Sequence, residues 1–385
     1  MTPDPLRVAV VGAGMGGLSA GIALRDAGFE ADVYERAPEI LPVGAGVCMW
    51  PNGAKALNAL GVGRRIESHS PPISAVRYHS STGERLSTID LEPLTMSVGQ
   101  RAYPLAREDL QAALLDRFGA ERLHLGHECV GVEQRDGSAT VQFANGRQAA
   151  ADLVIGADGV RSVVRGFVNT AAELRYGYST WLGMVPGELG LNPPDVFSFY
   201  VGDGRRLGIL PVSGDRLYYF FDAPVAEDHA GSPEGDKATL RELFAGWAQP
   251  VQDLIDAIGE GLPRMPVHDL EPLPTYVNGR IALIGDAAHA STPTLGQGGA
   301  LAMEDSLVLA RCLLTCGVGV DDALARYDSE RRHRAEPVVA AARHRCEVMC
   351  GFVPGDSERW YEELRTGAED FIGTLTQVAL AGPLR

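Results

Sequence analysis

The first 35 residues alternate between short apolar runs and a helical pattern. Residues 7–11 predict a buried strand, residues 18–27 predict a helix, and residues 31–34 predict a second strand that ends at Glu35. A strand, a helix and a second strand in this order are typical of a βαβ unit.

The same kinds of pattern recur further along the chain. Weaker helical periodicity covers residues 53–67, a helix is predicted at 107–118, and a hairpin at 130–143 precedes a strand at 152–155. Residues 280–286 again predict a buried strand, and a long helix at 298–315 is followed by further helices. Segments typical of an α/β domain therefore occur near both ends of the chain.

Between about residues 173 and 270 the pattern changes to aromatic, alternating strands, at 197–201, 206–212 and 217–222. We therefore expect an α/β fold in which a Rossmann-like domain is interleaved with a smaller β-sheet domain and closed by C-terminal helices. The segments expected for the Rossmann-like domain are 1–72, 100–172 and 273–345, those for the β-sheet domain are 73–99 and 173–272, and the C-terminal helices are 346–385.

Composition supports a two-domain protein and limits its partners. The 385 residues exceed one ordinary core, and a net charge of −16 argues against nucleic acid or an anionic membrane as a partner. No apolar run approaches the roughly 20 residues of a membrane-spanning helix, and no signal-peptide pattern precedes the first strand. We expect a cytoplasmic monomer or homodimer that binds neither nucleic acid nor membrane.

Two cysteine pairs, Cys312/Cys316 and Cys346/Cys350, have a spacing that places both thiols on one helix face. A zinc site would require the two helices to converge. Free cysteines are commonly buried as small apolar residues. We favour that interpretation and expect no metal.

The glycines after the first strand form the pattern Gly12-x-Gly14-x-x-Gly17. Gly12 permits a tight turn, Gly14 lets a pyrophosphate approach the backbone, and Gly17 allows close packing of helix on strand. The free N–H groups of the helix N-terminus favour a negative charge. Glu35, 18 residues after Gly17, is placed to accept hydrogen bonds from a ribose. The segment predicts a dinucleotide-binding site.

Two further motifs, at residues 156–162 (GADGVRS) and 285–289 (GDAAH), follow the fingerprint in a characteristic order. Together, the three motifs resemble those of the class A FAD-dependent aromatic hydroxylases, the group of para-hydroxybenzoate and salicylate hydroxylase. The segments at 244–248 (FAGWA) and 360–364 (WYEEL) are closer to the FAD-dependent urate hydroxylases. The resemblance runs from residue 7 to the C-terminus. It implies that the Rossmann-like domain binds FAD and that the β-sheet domain binds the substrate.

For the cofactor, the resemblance implies a non-covalently bound, extended FAD. Asp286 would bind the ribityl hydroxyls, Arg107 would reach FAD across the domain, and Asp158 matches a motif linked to FAD and nicotinamide binding; a plain turn is the alternative for Asp158. No second fingerprint is present, so NAD(P)H is expected to bind transiently, with O2 as co-substrate. The cofactor-binding positions are Gly12, Gly14, Gly16, Gly17, Glu35, Arg36, Cys48, Arg107, Cys129, Asp158, Asp286, Gly296, Gln297, Gly298, Gly299 and Ala300.

For the substrate, the resemblance implies that an arginine and a tyrosine of the β-sheet domain hold an anionic ring, and the matching candidates for catalysis and binding are Arg206 and Tyr218. Two further substrate-contacting positions depart from the urate hydroxylase pattern, because Thr180 replaces an expected Asn and Thr294 an expected Asp. The substrate would then be urate, a methylated or less polar purine, or another heteroaromatic compound.

The spacing of Arg206 and Tyr218 can be tested against strand geometry. A three-residue loop at 213–215 would pair Val212 with Arg216 and place Arg206 and Tyr218 on one face of the sheet, whereas a two-residue loop would separate them. The alternatives are a solvated charge at Arg206 and a core aromatic residue at Tyr218.

The resemblance also implies the reaction. NAD(P)H reduces the flavin, O2 adds at its C4a atom, and the hydroperoxide transfers an electrophilic OH to an electron-rich ring. Three alternatives remain: a hydroxylase of a phenolic acid such as salicylate or a hydroxybenzoate, a reductase of the same fold acting on an isoprenoid double bond, and an FAD-containing binding protein without turnover.

Overall fold

The computed structural model describes residues 5–40, 46–135, 137–227, 233–259, 262, 264–315 and 319–384. The strands are β1 (Arg7–Val11), β2 (Glu30–Tyr34), β3 (Gly46–Met49), β4 (Ala75–Ser80), β5 (Arg85–Asp90), β6 (Tyr103–Ala106), β7 (Leu123–His124), β8 (Cys129–Arg135), β9 (Ser138–Phe143), β10 (Gln148–Ala151), β11 (Leu153–Gly156), β12 (Leu174–Pro186), β13 (Val196–Gly202), β14 (Arg205–Val212), β15 (Arg216–Ala223), β16 (Arg264–Leu270), β17 (Val277–Asn278) and β18 (Ile281–Leu283).

Helices alternate with these strands and predominate after residue 285. They are α1 (Met15–Asp26), α2 (Pro51–Ala59), α3 (Gly63–His69), α4 (Glu92–Val98), α5 (Arg107–Phe118), α6 (Arg165–Val168), α7 (Pro233–Leu243), α8 (Gln249–Ala257), α9 (Asp286–His289), α10 (Gly298–Thr315), α11 (Val320–Cys350), α12 (Asp356–Thr366) and α13 (Phe371–Leu380), with short 3-10 turns at Gly187–Leu189 and Pro293–Leu295.

A six-stranded, mostly parallel sheet forms the Rossmann-like part, with strand order β17-β18-β11-β1-β2-β7. β1 pairs in parallel with both β2 and β11, and α1 connects β1 to β2, so the predicted βαβ unit is confirmed. The helix begins three residues earlier than predicted, at Met15, because Gly17 must lie in its first turn to pack against the backbone of Gly12.

A seven-stranded sheet forms the second layer, with strand order β16-β12-β15-β14-β13-β4-β5. β4 and β5 come from the segment before residue 100 and the other five strands from after residue 173, so two separated segments build one sheet. The predicted α/β fold with an interleaved β-sheet domain is therefore confirmed. The residue boundaries of the six segments stay predictions.

The two faces of the seven-stranded sheet have different neighbours. Leu207, Ile209 and Phe221 belong to a buried cluster with residues of α7 and α8. The opposite face packs against residues of α11, α12 and α13, including Trp360 and Leu375. Because side chains alternate along a strand, every second residue of β14 and β15 is directed towards the side where the C-terminal helices lie.

Local structure differs from the prediction where a glycine interrupts a helical pattern. Residues 53–67 were predicted as one helical region, but α2 ends at Ala59 and α3 begins at Gly63. Gly61 has a φ of +78°, which a right-handed helix cannot contain. The predicted hairpin at 130–143 is confirmed as β8 and β9, and the helix at 298–315 as α10.

Cys346 and Cys350 are buried free thiols near the end of α11. Cys312 is also buried, and Cys316 lies outside the described residues. In the described part of the chain, no group of three or more His, Cys, Asp and Glu side chains could hold a metal ion. No described helix is long and apolar enough to cross a membrane.

Candidate active site

A cavity of about 480 Å³ lies between the two sheets. One side is formed by backbone at the carboxyl ends of β1, β11 and β18, which is where ligands of parallel α/β sheets bind. The other side is formed by the face of the seven-stranded sheet that points towards the C-terminal helices. Predicted cofactor and substrate residues therefore meet in one cavity, and those that line it are Gly14, Gly16, Cys48, Arg107, Thr180, Arg206, Tyr218, Asp286, Thr294, Gly296, Gly298 and Gly299.

The glycine-rich loop has the shape of a phosphate-binding loop. Gly12 has a φ of +106°, and a Cβ atom on it would lie 2.4 Å from the carbonyl oxygen of Ala157. A Cβ atom on Gly17 would lie 1.8 Å from the carbonyl oxygen of Gly12, so neither position tolerates a side chain. Gly14, at the N-terminus of α1, lines the cavity and has open space where a Cβ would be. A phosphate can therefore reach the free N–H groups of α1.

Glu35 fixes this loop from the end of β2. Its carboxylate accepts hydrogen bonds from the backbone N–H groups of Ala13 (2.8 Å) and Ala37 (3.0 Å). Glu35 and its exposed neighbour Arg36 are not among the described residues that line the cavity. Whether either residue contacts a ribose stays a prediction.

Asp286 places a carboxylate in the cavity beside Gly298. A Cβ atom on Gly298 would lie 3.7 Å from Asp286 Oδ1. The Asp286 side chain can be reached from the cavity. Protein atoms nevertheless surround its carboxyl group, and the resulting desolvation raises the pKa of that group. The charges of His289, Arg107 and Arg165 oppose this effect. An acceptor in a site of this kind suits sugar or polyol hydroxyls.

The segment at 296–300 contributes backbone to the cavity wall and a buried side-chain hydrogen bond behind it. Gly296, Gly298 and Gly299 line the cavity at the start of α10, whereas Gln297 and Ala300 are buried behind it. The Oε1 atom of Gln297 accepts a hydrogen bond from Nδ2 of Asn52 (3.0 Å). This bond ties the start of α10 to α2.

The other predicted cofactor residues lie at different depths. Asp158 does not line the cavity among the described residues; its carboxylate accepts hydrogen bonds from Ser162 Oγ (2.5 Å) and from the backbone N–H of Val163 (2.7 Å). Cys48 lines the cavity, and burial raises the pKa of its thiol. Cys129 lies in the core, where burial raises the pKa of its thiol to about 11. Both thiols are therefore protonated near neutral pH.

Behind the cavity lies a buried ionic network that was not identified from the sequence. Asp305 accepts hydrogen bonds from Gly285 N–H (2.8 Å), His289 Nε2 (2.7 Å) and Arg331 Nε (2.6 Å). Its neighbour Glu304 accepts bonds from Asn52, Arg331 and Arg334, which come from α2 and α11. The available signal was a pair of acids inside an otherwise apolar helix, residues 300–310. His289 is thus a packed, hydrogen-bonded core residue.

These groups fit FAD. The Gly14 cradle is open to a pyrophosphate, Asp286 offers an acceptor to a ribityl chain, and the N-termini of α1 and α10 supply N–H donors and positive dipole ends. The described residues therefore supply the chemistry that a long, negatively charged dinucleotide needs.

On the opposite wall, Arg206 and Asp222 form a buried ion pair. Nε and Nη2 of Arg206 donate to Oδ2 of Asp222, at 3.0 Å and 2.6 Å, and Arg206 lies over the rings of Phe199 and Phe220. Arg206 is only 6% exposed, so the alternative of a solvated charge is wrong. Asp222 also lines the cavity and was not identified from the sequence.

The predicted hairpin register is confirmed. Val212 pairs with Arg216 and Leu210 pairs with Tyr218, so Arg206 and Tyr218 lie on the same face of the sheet. Both residues line the cavity, and a Cβ atom on Gly46 would lie 2.4 Å from the ring of Tyr218. Burial and the nearby Asp222 raise the pKa of Tyr218, so its hydroxyl stays protonated.

Thr180 and Thr294 lie on different walls of the cavity. Thr180 is the cross-strand neighbour of Asp222, and its hydrogen bond lowers the pKa of that carboxyl. Burial outweighs this bond and the Arg206 charge, so the pKa of Asp222 is raised overall. Thr294 donates to the carbonyl oxygen of Ala342 (2.7 Å) and is therefore anchored to α11.

Comparison with known proteins agrees with this site. A family profile described as FAD binding domain matches residues 5–342. The chain is 39% identical to an FAD-dependent urate hydroxylase of Klebsiella pneumoniae, covering 98% of this chain and 100% of the relative. It is 41% identical to an FAD-dependent urate hydroxylase of Mycolicibacterium vanbaalenii, covering 98% of both.

Solved structures show the same similarity. Klebsiella pneumoniae HpxO complexed with FAD and uric acid superposes with a TM-score of 0.94 at 38% identity, covering 98% of both chains. A salicylate hydroxylase substrate complex superposes with a TM-score of 0.78 at 25% identity, covering 100% of both.

Proposed function

Because the chain belongs to the FAD-binding family of the class A aromatic hydroxylases, we propose that its substrate is urate or a closely related heteroaromatic anion. The resemblance drawn from the motifs is confirmed. The protein is an FAD-dependent monooxygenase that uses NAD(P)H and O2 to hydroxylate an electron-rich aromatic or heteroaromatic ring. The proposal concerns the identity of that ring.

FAD would be held by the Gly14 loop, Arg107, Asp286 and the backbone of Gly296, Gly298 and Gly299, all of which line the cavity. When bound, FAD accepts reducing equivalents from NAD(P)H and activates O2 for hydroxylation. The protein supplies position and surroundings. Phe199, Phe220 and other apolar side chains of the cavity wall exclude water from the reacting ring.

The observation that carries the substrate proposal is the position of Arg206 and Tyr218. Both side chains reach the cavity from neighbouring strands, and similarity to urate hydroxylases extends over 98% of the chain. Arg206 can donate hydrogen bonds to an electronegative ring atom from a poorly hydrated wall. An electron-rich ring is the kind that electrophilic hydroxylation requires. The protonated Tyr218 hydroxyl can donate to a ring oxygen or nitrogen.

A substrate screen tests the proposal. FAD-loaded protein is mixed with NADH or NADPH and with urate, methylurates, other purines, salicylate and hydroxybenzoates, and NAD(P)H oxidation, O2 uptake and products are measured. We expect urate or a methylurate to stimulate NAD(P)H oxidation most, with one hydroxylated product per O2. Preferential turnover of salicylate or a hydroxybenzoate would show that the substrate is a phenolic acid and not a purine. Reduction of an added isoprenoid without O2 uptake would contradict hydroxylation itself.

We further propose that the protein is cytoplasmic and acts as a monomer or homodimer without nucleic acid. A net charge of −16 supports the last point. Analytical ultracentrifugation with and without DNA tests the assembly state, and cell fractionation tests the location.

A further inference from the structure

The Arg206–Asp222 pair offers the cavity two unlike hydrogen-bonding groups side by side. Both bonds within the pair end on Oδ2 of Asp222 and use Nε and Nη2 of Arg206. Nη1 of Arg206 has no hydrogen-bond partner among the described residues, and Arg206 lines the cavity. Its N–H groups are therefore free to donate to a ligand.

Asp222 provides the complementary group. It lines the cavity between Thr180 and Arg206, which are its cross-strand neighbours on either side. An ionised carboxylate only accepts hydrogen bonds. The row across the three strands therefore presents a donor from Arg206 next to an acceptor from Asp222.

The pair as a whole carries no net charge. Asp222 is 1% exposed and Arg206 is 6% exposed, so both groups are poorly hydrated. A carboxylate ligand, which has two acceptor oxygens, would face Asp222 with one of them and be repelled. A carbonyl next to a ring N–H satisfies both groups.

From this arrangement we propose that Asp222 is a specificity-determining residue, and that Arg206 and Asp222 together recognise a –CO–NH– (lactam) edge of the substrate ring. The carbonyl oxygen accepts from Arg206, and the ring N–H donates to Asp222. Lactam-containing heteroaromatic rings are thereby selected over aromatic carboxylates. This inference rests on the proposed function, since it assumes that the aromatic substrate occupies this wall.

The first test uses the wild-type FAD-loaded protein and needs no mutation. Dissociation constants are measured by calorimetry for urate, for each monomethylurate and for salicylate. Methylation of the one ring nitrogen that faces Asp222 removes the donor, and a buried acceptor left unpaired weakens binding. We expect an increase in Kd of about tenfold to a hundredfold for that isomer. Equal binding of all the monomethylurates and urate would overturn the proposal.

The second test changes the acceptor. In Asp222→Asn the amide oxygen can accept from Arg206 and leave the NH2 group facing the ligand, which suits a carboxylate. We expect the ratio of the Kd values for urate and salicylate to shift by about tenfold or more in favour of salicylate. In Asp222→Ala the penalty for the sensitive N-methyl group should disappear. Asp215→Asn is the control, because Asp215 is exposed on the same hairpin with a φ of +52°, which Asn tolerates.

The outcomes separate the two proposals. If urate is hydroxylated but Asp222→Asn keeps the wild-type ranking of ligands, the pair is a structural ion pair and this inference is wrong, while the proposed function stands. If no lactam binds or is hydroxylated by the wild type, the proposed function fails as well. Should the Asp222 variants not retain FAD, the wild-type methylation series decides alone.

Discussion

Replacing Asp305 with Asn removes one charge from the network behind the cavity while keeping the side-chain shape. Asp305 is fully buried and accepts bonds from Gly285, His289 and Arg331. Gly285 has a φ of +57° and directly precedes Asp286 in the cavity, so the Asp305 carboxylate holds a turn that places a predicted cofactor contact. Glu304 also accepts from Arg331 but is shared with Arg334, so an amide at 305 leaves two buried guanidinium groups with one carboxylate.

Removing one partner of a buried ion pair costs about 3–5 kcal/mol, because the other charge is left uncompensated. Domains have a total free energy of unfolding of about 5–15 kcal/mol, so Asp305→Asn should be strongly destabilised. Glu330→Gln is the matched control. Glu330 pairs with Arg311 and Arg326 at the surface, where an ion pair contributes about 0–1 kcal/mol.

The assay is urea unfolding followed by circular dichroism, on FAD-loaded and FAD-free protein, at several pH values. Burial alone would raise the pKa of Asp305, but the charges of His289 and Arg331 outweigh it and the pKa is lowered from the usual 3.8. The stabilisation is therefore fully present above pH 3.8 and is lost as pH falls through the lower value of the folded state. The difference between wild type and variant should shrink as the pH falls below 3.8. An Asp305→Asn protein as stable as Glu330→Gln would refute this reasoning.

Three further predictions concern the cavity. Asp286→Ala should lower FAD occupancy, measured as the flavin-to-protein absorbance ratio after gel filtration, and full occupancy would contradict the ribityl assignment. Arg206→Ala should lose about 1.5–3 kcal/mol of transition-state binding, which is about ten- to a hundredfold in kcat/KM, while its FAD content stays near that of the wild type. Arg206→Lys should recover only part of this loss. Unchanged kcat/KM for the identified substrate would exclude an anion contact. Tyr218→Phe should give a milder loss of kcat/KM if the hydroxyl orients the ring, and a change in stability alone would make Tyr218 a packing residue.

The sequence was sufficient where chemistry is encoded locally. The order strand, glycine loop, helix and strand predicts the βαβ unit because hydrophobic periodicity and turn glycines are set by neighbouring residues. The loop at 213–215 predicted the register of β14 and β15, because side chains alternate with a strict period of two along each strand. The motifs at 156–162 and 285–289 led to the family without any knowledge of the packing.

Tertiary structure decided everything that depends on contacts between distant segments. Asp222 looked like an ordinary residue at the end of a strand until the register placed it between Thr180 and Arg206. Glu304 and Asp305 stood out as two acids in an apolar helix, but their partners Arg331 and Arg334 lie 26 to 30 residues further along the chain, in α11. A buried charged group is stabilised only when an oppositely charged or hydrogen-bonding partner lies beside it, and folding brings these partners together. The sequence by itself therefore determined the cofactor class and the sheet face that carries Arg206. The assembled sheet decided that the Arg206 charge is paired with Asp222.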